Sequence, residues 1–455
     1  MTMNNSNTFN KLRARFPFLV YQSYTILKVN DNFTIKFLFN LSDSYYFEPE
    51  ITIPARAFYK TSSISDEELE TFIFQIGMIE LVSYWKCACP ATVIIKPFKL
   101  SEKQILWWKN LYFNGLGEFF YLNEIETDEV SFMNIVSASD RQFSMSEIAL
   151  NETIIVPIGG GKDSIVSLEI LKSGKLPIVP LIVNPREATT KCAELAGFSP
   201  MDCIIIHRSI DPLLIKLNSE GFLNGHTPFS ALLAFTTALA AMLTGAKHIA
   251  LSNESSANEA TVANTTINHQ YSKSLQFECD FRNYCQQYLH HDLNYFSLLR
   301  PLNELQIGRI FSRNELYFNT FKSCNVGSKT DSWCCNCPKC LFTFLILSPF
   351  VPMQRLNQIF GQFIYDNQSL IPVLDELRGR SVTKPFECVG TVEEVEAATQ
   401  QLLKNHPYLL TSKLFSQLTD IENSETGIEH LLSGFDEQHF LLPMFEKIVK
   451  DALYA

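Results

Sequence analysis

Residues 153–164 read TIIVPIGGGKDS, and this stretch decides the fold. The apolar run TIIVPI favours a buried strand, and residues 165–171, IVSLEIL, space their apolar side chains as a helix does. Between them lie Gly159, Gly160, Gly161, Lys162, Asp163 and Ser164. The glycines let the backbone approach a ligand closely, and the free amides at the start of the following helix favour an anion. Lys162 adds a positive charge and Ser164 a hydroxyl. Two common phosphate loops do not fit. The Walker pattern needs Ser or Thr directly after Lys162, where Asp163 stands. The dinucleotide pattern needs a glycine where Ser164 stands.

Further along, LPIVPLIV (176–183), CIIIH (203–207) and HIALS (248–252) are short apolar runs, each followed by a helix-like stretch. This rhythm predicts an α/β fold, a parallel sheet with helices on both faces. Before it, FTIKFLF (33–39) alternates as a half-buried strand. Ser65 and Glu68 form a capping pair ahead of Leu69, Phe72, Ile73, Ile76 and Ile79, which share one helical face. A strand is expected over 91–95 and a helix over 102–113. Residues 124–147 turn acidic and Ser-rich, which marks a boundary. After about residue 349 the chain reads as helical, with Thr391 and Glu394 as a second capping pair. The expected domains are an α+β domain over 1–147, an α/β domain that carries the glycine loop and the cysteine-rich run over 148–349, and a helical region over 350–455. The first is the natural place for substrate recognition.

The chain has 455 residues, of which 46% are hydrophobic and 19% charged, with 36 phenylalanines. Such a chain buries a large core, so disorder is excluded as its main state. Lys plus Arg is 37 and Asp plus Glu is 48, a net charge of 37 − 48 = −11. That balance argues against a nucleic-acid partner but leaves room for a small basic pocket. The bases Lys11, Arg13 and Arg15 precede an apolar run broken by Gln22 and Ser23 without a small-residue cleavage site, so no signal peptide is expected. Residues 227–246 carry no charge, but their threonines, Pro228 and Gly245 read as a buried helix and not as a membrane span. Twelve cysteines without a secretion signal read as reduced thiols or metal ligands. A cytoplasmic enzyme with no membrane partner is expected; oligomeric state is left open.

The glycine loop resembles that of the ATP pyrophosphatases, S-G-G-x-D-S, with Gly159 in the serine slot. The resemblance implies a PP-loop, adenine nucleotide alpha-hydrolase-like fold. Its loop grips the pyrophosphate of ATP while a substrate atom attacks the α-phosphorus to give an adenylate. Asp163 would help hold Mg²⁺ there, a carboxylate beside phosphates being a usual arrangement. The plainer alternative is a Gly-rich turn between strand and helix.

Cys324, Cys334, Cys337 and Cys340 stand at x9, x2 and x2 spacing. Four thiolates on tight turns suit a structural Zn²⁺, with an iron–sulfur cluster or unligated thiols as the alternatives and Cys335 as an unassigned fifth. The run resembles the zinc knuckle of the 7-cyano-7-deazaguanine synthases, as does PLNELQIGRI (301–310) before it. Cys87 and Cys89 have no partner set and read as packing.

Polar residues past the end of HIALS include Glu254, a magnesium ligand or base, or else part of a helix cap. Residues 268–273, NHQYSK, offer His269 and Lys273. His226, Arg282 and Arg300 are further candidates for an anionic ligand. In KPFECVGT (384–391) the carboxylate of Glu387 stands beside the thiol of Cys388.

SYWKCACP (83–90), GLGEFFYLN (115–123), PIGGGKDS (157–164), LSNESSANE (251–259), NHQYSKS (268–274), SCNVGSK (323–329), WCCNCPKC (333–340) and KPFECVGT span most of the chain. Together they resemble the bacterial ATP-dependent epimerases that act on UDP-N-acetylmuramoyl-L-alanyl-L-glutamate. The resemblance implies conversion of the terminal L-glutamate to D-glutamate in peptidoglycan precursor synthesis, with ATP and Mg²⁺, releasing AMP and pyrophosphate. It casts residues 159–164 as the ATP loop, with Lys162 stabilising phosphate charge and Asp163 and Glu254 carrying magnesium. His269, Lys273 and Cys388 are the candidates for proton transfer. The chemistry is coherent, because a carboxylate makes the neighbouring C–H hard to ionise and adenylation removes that charge. Two rival readings share the loop: a nucleobase- or tRNA-modifying enzyme of the deazaguanine synthase type, and a non-catalytic ATP-binding regulator.

Overall fold

Alternation along FTIKFLF becomes a strand that buries Phe33, Ile35, Phe37 and Phe39 and leaves Thr34, Lys36 and Leu38 partly exposed. The computed structural model that shows this describes residues 5–29, 32–54, 64–418 and 428–455. Its strands are β1 (Phe18–Val29), β2 (Asn32–Leu41), β3 (Tyr45–Phe47), β4 (Glu50–Pro54), β5 (Thr92–Ile95), β6 (Asn134–Ser137), β7 (Asn151–Pro157), β8 (Ile178–Val183), β9 (Ile204–Ser209), β10 (Ala246–Leu251) and β11 (Asn294–Ser297). With many helices between them, the architecture is mixed α/β.

Two compact units divide the chain. The first comprises Met1–Ile155, Ile204–Ile249 and Tyr271–Asn294, and the second Val156–Cys203, Ala250–Gln270 and Tyr295–Ala455.

In the first unit the strand order is β6-β5-β1-β2-β4-β9, with β3 on β2. The pairs β1/β2, β2/β3, β2/β4 and β4/β9 are antiparallel, whereas β1/β5 and β5/β6 are parallel. β10 and β7 also pair in parallel, His248 opposite Ile154 and Ile249 opposite Ile155. The four-residue β6 lies in the acidic stretch 124–147, where composition predicts a boundary and no strand. Ser65 and Glu68 form the predicted capping box on the helix Asp66–Trp85. That helix has more than the single apolar face expected, because every residue from Thr71 to Trp85 is buried. Gly77 permits its close approach to the sheet, since a Cβ there would collide with the Tyr21 hydroxyl. The uncharged stretch forms the helix Phe229–Thr244, closed by Gly245 at φ 70°. At about 1.5 Å per residue it is too short to cross a bilayer. No described helix is long and apolar enough to do so.

In the second unit the glycine loop joins the end of β7 to the helix Lys162–Ser173, followed by β8 and the helix Glu187–Leu195. The Ile158 amide donates to the Leu181 carbonyl (2.8 Å) and that of Leu298 to Leu251 (2.7 Å), which ties the strand ends together here. Among the described residues the named elements beyond Ser297 are all helices or short helical turns, so the helical part begins well before residue 349, where the sequence predicts its start. Thr391 and Glu394 cap the helix Val392–Asn405.

Candidate functional site

The three loop glycines have different reasons to be glycine. Gly160 has φ +77°, and a Cβ on it would stand 3.1 Å from the Thr189 amide nitrogen. A Cβ on Gly161 would stand 2.9 Å from the Ser323 hydroxyl, whereas one on Gly159 would meet nothing within 4 Å. The loop is braced through its carbonyls: Gly160 accepts the Lys322 amide (2.8 Å), and Gly159 accepts the Arg186 guanidinium (3.1 Å). Ser164 is also engaged, donating its hydroxyl to the Gly161 carbonyl at 3.0 Å. Gly161 caps the helix without a side-chain acceptor, which leaves the first-turn amides to an anionic ligand.

Beneath the loop Lys162 is 2% exposed, and its ammonium pairs with the carboxylates of Asp163 and Glu304. Burial alone would lower its pKa, but the two carboxylates reverse this and hold it above the ordinary lysine value. Glu304 is as deeply buried. Burial raises its pKa, helped by the charges of Asp163 and Glu254 and opposed by Lys162 and Lys339. Nothing in the sequence singles out Glu304 except its place within PLNELQIGRI.

Glu394 reads in the sequence only as a helix cap, and it does more. Its carboxylate accepts the amide of Thr391 and also that of Glu304, each at 2.5 Å. Burial raises its pKa too. Gly390 fits against this pair: a Cβ on it would lie 2.7 Å from Glu394 Oε2 and 3.2 Å from Glu304 Cγ.

KPFECVGT is tied to groups that the sequence shows as separate clusters. Lys384 holds the Glu259 carboxylate and the Gly390 carbonyl (2.7 Å). Lys339 donates to the Cys388 carbonyl, Gln270 to that of Val389 (3.3 Å), and Asn325 to the Glu387 carboxylate. Cys388 itself is half-buried. His269 is half-buried in the same unit, its amide donating to the Thr261 hydroxyl at 3.0 Å. Lys273 falls in the other unit, at the end of the short turn Tyr271–Lys273.

Glu254 is 3% exposed and heads the turn Ser255–Asn258, its carbonyl accepting Arg300 at 2.6 Å. Arg300, fully buried, thus holds backbone and the Ser297 hydroxyl (3.3 Å). In the first unit Arg282 holds the Asn294 amide oxygen (2.9 Å), and His226 stands 3.7 Å from the Glu118 carboxylate. Cys87 and Cys89 are buried there, and burial pushes the Cys87 thiol up to about 12.

The sulfurs of Cys324, Cys334, Cys337 and Cys340 all lie within 4.8 Å of one another. Cys324–Cys337 and Cys334–Cys340 are 3.8 Å apart. A tetrahedral ion with zinc–sulfur bonds of about 2.3 Å requires sulfurs ~3.8 Å apart, so the set fits zinc. The Gly327 amide donates to Cys324 Sγ (3.1 Å), a contact that steadies a thiolate. Cys335, at φ +50°, turns its thiol away to the Phe360 carbonyl (3.4 Å) and stands outside the tetrad.

The family model of the MurL N-terminal domain matches residues 10–298, and that of the MurL C-terminal domain matches residues 320–429. Three relatives are each a UDP-N-acetyl-alpha-D-muramoyl-L-alanyl-L-glutamate epimerase. That of Xanthomonas oryzae pv. oryzae (strain MAFF 311018) is 35% identical over 71% of this chain and 72% of its own length. That of Micromonospora sp. (strain ATCC 39149 / NRRL 15099 / SCC 1413) is 36% identical over 70% and 72%. That of Salinispora tropica (strain ATCC BAA-916 / DSM 44818 / JCM 13857 / NBRC 105044 / CNB-440) is 34% identical over 78% of both chains. No solved structure matches the chain.

Proposed function

This chain belongs to the MurL family, and from that premise we propose that it is an isomerase converting the terminal L-glutamate of UDP-N-acetylmuramoyl-L-alanyl-L-glutamate to D-glutamate through an ATP-derived adenylate. The observation that supports the adenylation is the buried Lys162 ammonium beneath a glycine turn whose helix amides lack a side-chain cap.

The loop binds the pyrophosphate end of ATP. The glutamate carboxylate attacks the α-phosphorus; a carboxyl O–P bond forms, the α–β bridging P–O bond breaks, and pyrophosphate leaves with its electron pair. In the acyl-adenylate the carboxyl group has lost its own negative charge, so its carbonyl accepts the electrons released when a base takes the α-proton. An acid returns a proton to the opposite face, and water then cleaves the adenylate to carboxylate and AMP. Proton transfer is assigned to the set His269, Lys273 and Cys388, the first and last of which share a unit with the loop. Asp163 and Glu254 would hold magnesium, which supplies charge neutralisation for the phosphates; both act electrostatically on Glu304. The four cysteines would hold a structural zinc.

The test is incubation with ATP, Mg²⁺ and the UDP-linked dipeptide in D₂O. Deuterium at the glutamate α-carbon, D-glutamate and AMP are expected. Pyrophosphate release with a deazapurine acid and no exchange in the dipeptide would support the nucleobase-modifying reading instead. ATP binding without turnover of any carboxylate would support the regulator.

A further inference from the structure

The ammonium of Lys162, the cation of the glycine loop, is held by Glu304, 142 residues away in sequence. Glu304 is in turn held by Glu394, which accepts its backbone amide at 2.5 Å. Glu394 belongs to the helix Val392–Asn405, and Gly390, just before that helix, packs against the Glu394 carboxylate and the Glu304 side-chain stem. The charged and titratable groups acting on Glu304 are Lys162, Asp163, Glu254 and Lys339, with the Glu394 carboxylate on its amide.

We propose that Glu304 is a positioning residue for Lys162, and that Glu394 and Gly390 extend this support into the C-terminal helical region. The proposal rests on the ATP-binding reading of the loop. A lysine in a low-dielectric interior adopts the place of its counter-charge, so a fixed Glu304 fixes the ammonium under the loop. Fixing costs nothing when the substrate arrives, which is the condition for effective electrostatic stabilisation of phosphate charge. Glu304 is also a negative charge close to a polyphosphate site, so it opposes ATP binding while it orders the lysine. These two effects separate in kinetics.

Glu304→Gln keeps the shape and an acceptor oxygen but loses the charge. In steady-state AMP formation with ATP and the UDP-linked dipeptide, kcat should fall about 10- to 100-fold, the scale of a displaced catalytic group. KM for ATP should stay level or drop. Glu304→Asp should recover part of kcat. Gly390→Ala, which leaves every charge in place, should lower kcat in the same way with an unchanged KM. A Glu304→Gln enzyme with kcat within about twofold of the parent overturns the proposal. So does a rise in KM in step with the loss of kcat and with a lowered melting temperature, the signature of a merely structural role. A parent enzyme that neither binds ATP nor forms AMP would fail the adenylation reading itself. Normal ATP binding without the kcat–KM split would fail only the role of Glu304.

Discussion

The Lys322 amide donates to the Gly160 carbonyl at 2.8 Å, immediately ahead of Ser323, which faces Gly161, and of Cys324 in the sulfur tetrad. The cysteine knuckle is therefore a brace for the glycine loop. Arg186 adds a second tie, reaching the Gly159 carbonyl, the Ser328 carbonyl (3.3 Å) and Asp331 (3.5 Å).

Loss of the knuckle should reach the loop. Metal analysis of the purified chain is expected to find one zinc per molecule. Cys340→Ser, or removal of metal by a chelator, should lower the melting temperature and weaken ATP binding together. Full ATP affinity in a metal-free, destabilised protein would break the proposed link between knuckle and loop. Iron in place of zinc would overturn the choice of metal.

Removing the buried ammonium should be costly. Lys162→Met leaves Glu304 as a buried carboxylate without its partner, a change worth about 3–5 kcal/mol of destabilisation. In the double variant Lys162→Met, Glu304→Gln the charge is removed from both sides, and most of that loss should return. The midpoints of urea unfolding of the parent, Lys162→Met, Glu304→Gln and the double variant decide it. A single variant within about 0.5 kcal/mol of the parent would show that the pair is not structurally coupled.

What was legible in the sequence was what is local. The three glycines mark the tight turn between strand and helix, Ser65 with Glu68 and Thr391 with Glu394 cap their own helices, and residues 33–39 alternate within one strand. The x2 and x2 spacing of the last three tetrad cysteines is local too. Glu304 escaped notice because its partner Lys162 lies 142 residues away, and the second role of Glu394, beyond its cap, because its bond to the Glu304 amide spans 90. Neither pairing leaves a trace in composition or periodicity. The all-round burial of the helix Asp66–Trp85 was hidden for a related reason. Gln75, Gly77, Glu80 and Ser83 interrupt its apolar pattern, and only the surrounding structure encloses them. Two of these are satisfied from afar: Glu80 by Arg208 and the Gln75 carbonyl oxygen by Tyr284 (2.9 Å).

Glu394 should make the fold pH-dependent. Burial raises its folded-state pKa above the unfolded value, so the folded protein binds the proton more tightly than the unfolded chain. Its contribution is therefore most favourable at low pH and is lost as pH rises from the unfolded value, roughly 4.3, through the raised folded one. Glu394→Gln removes the titration. It keeps an acceptor for only one of the two amides, since Glu304 donates to Oε1 and Thr391 to Oε2, so the slope with pH and not the absolute midpoint is compared. Unfolding midpoints measured from pH 4.5 to 8 should fall less steeply with pH in the variant than in the parent. Parallel curves would show that Glu394 does not carry a raised pKa.

Gly159 and Gly160 are neighbours with opposite expectations. Gly160→Ala must place a Cβ at φ +77° and only 3.1 Å and 3.2 Å from backbone atoms of Thr189 and Ala188, which cannot swing away as a side-chain tip can. The left-handed backbone alone costs an L-residue about 1–2 kcal/mol. A shifted loop would also misdirect the amides of the helix start, so ATP-dependent AMP formation should fall along with stability. Gly159→Ala meets nothing within 4 Å and should fold as the parent does. If it nevertheless loses AMP formation at unchanged stability, the open space beside Gly159 is occupied by substrate during the reaction, and the loop is shown to be the nucleotide site by a variant that disturbs nothing else. Equal behaviour of the two variants in both stability and activity would contradict the loop geometry.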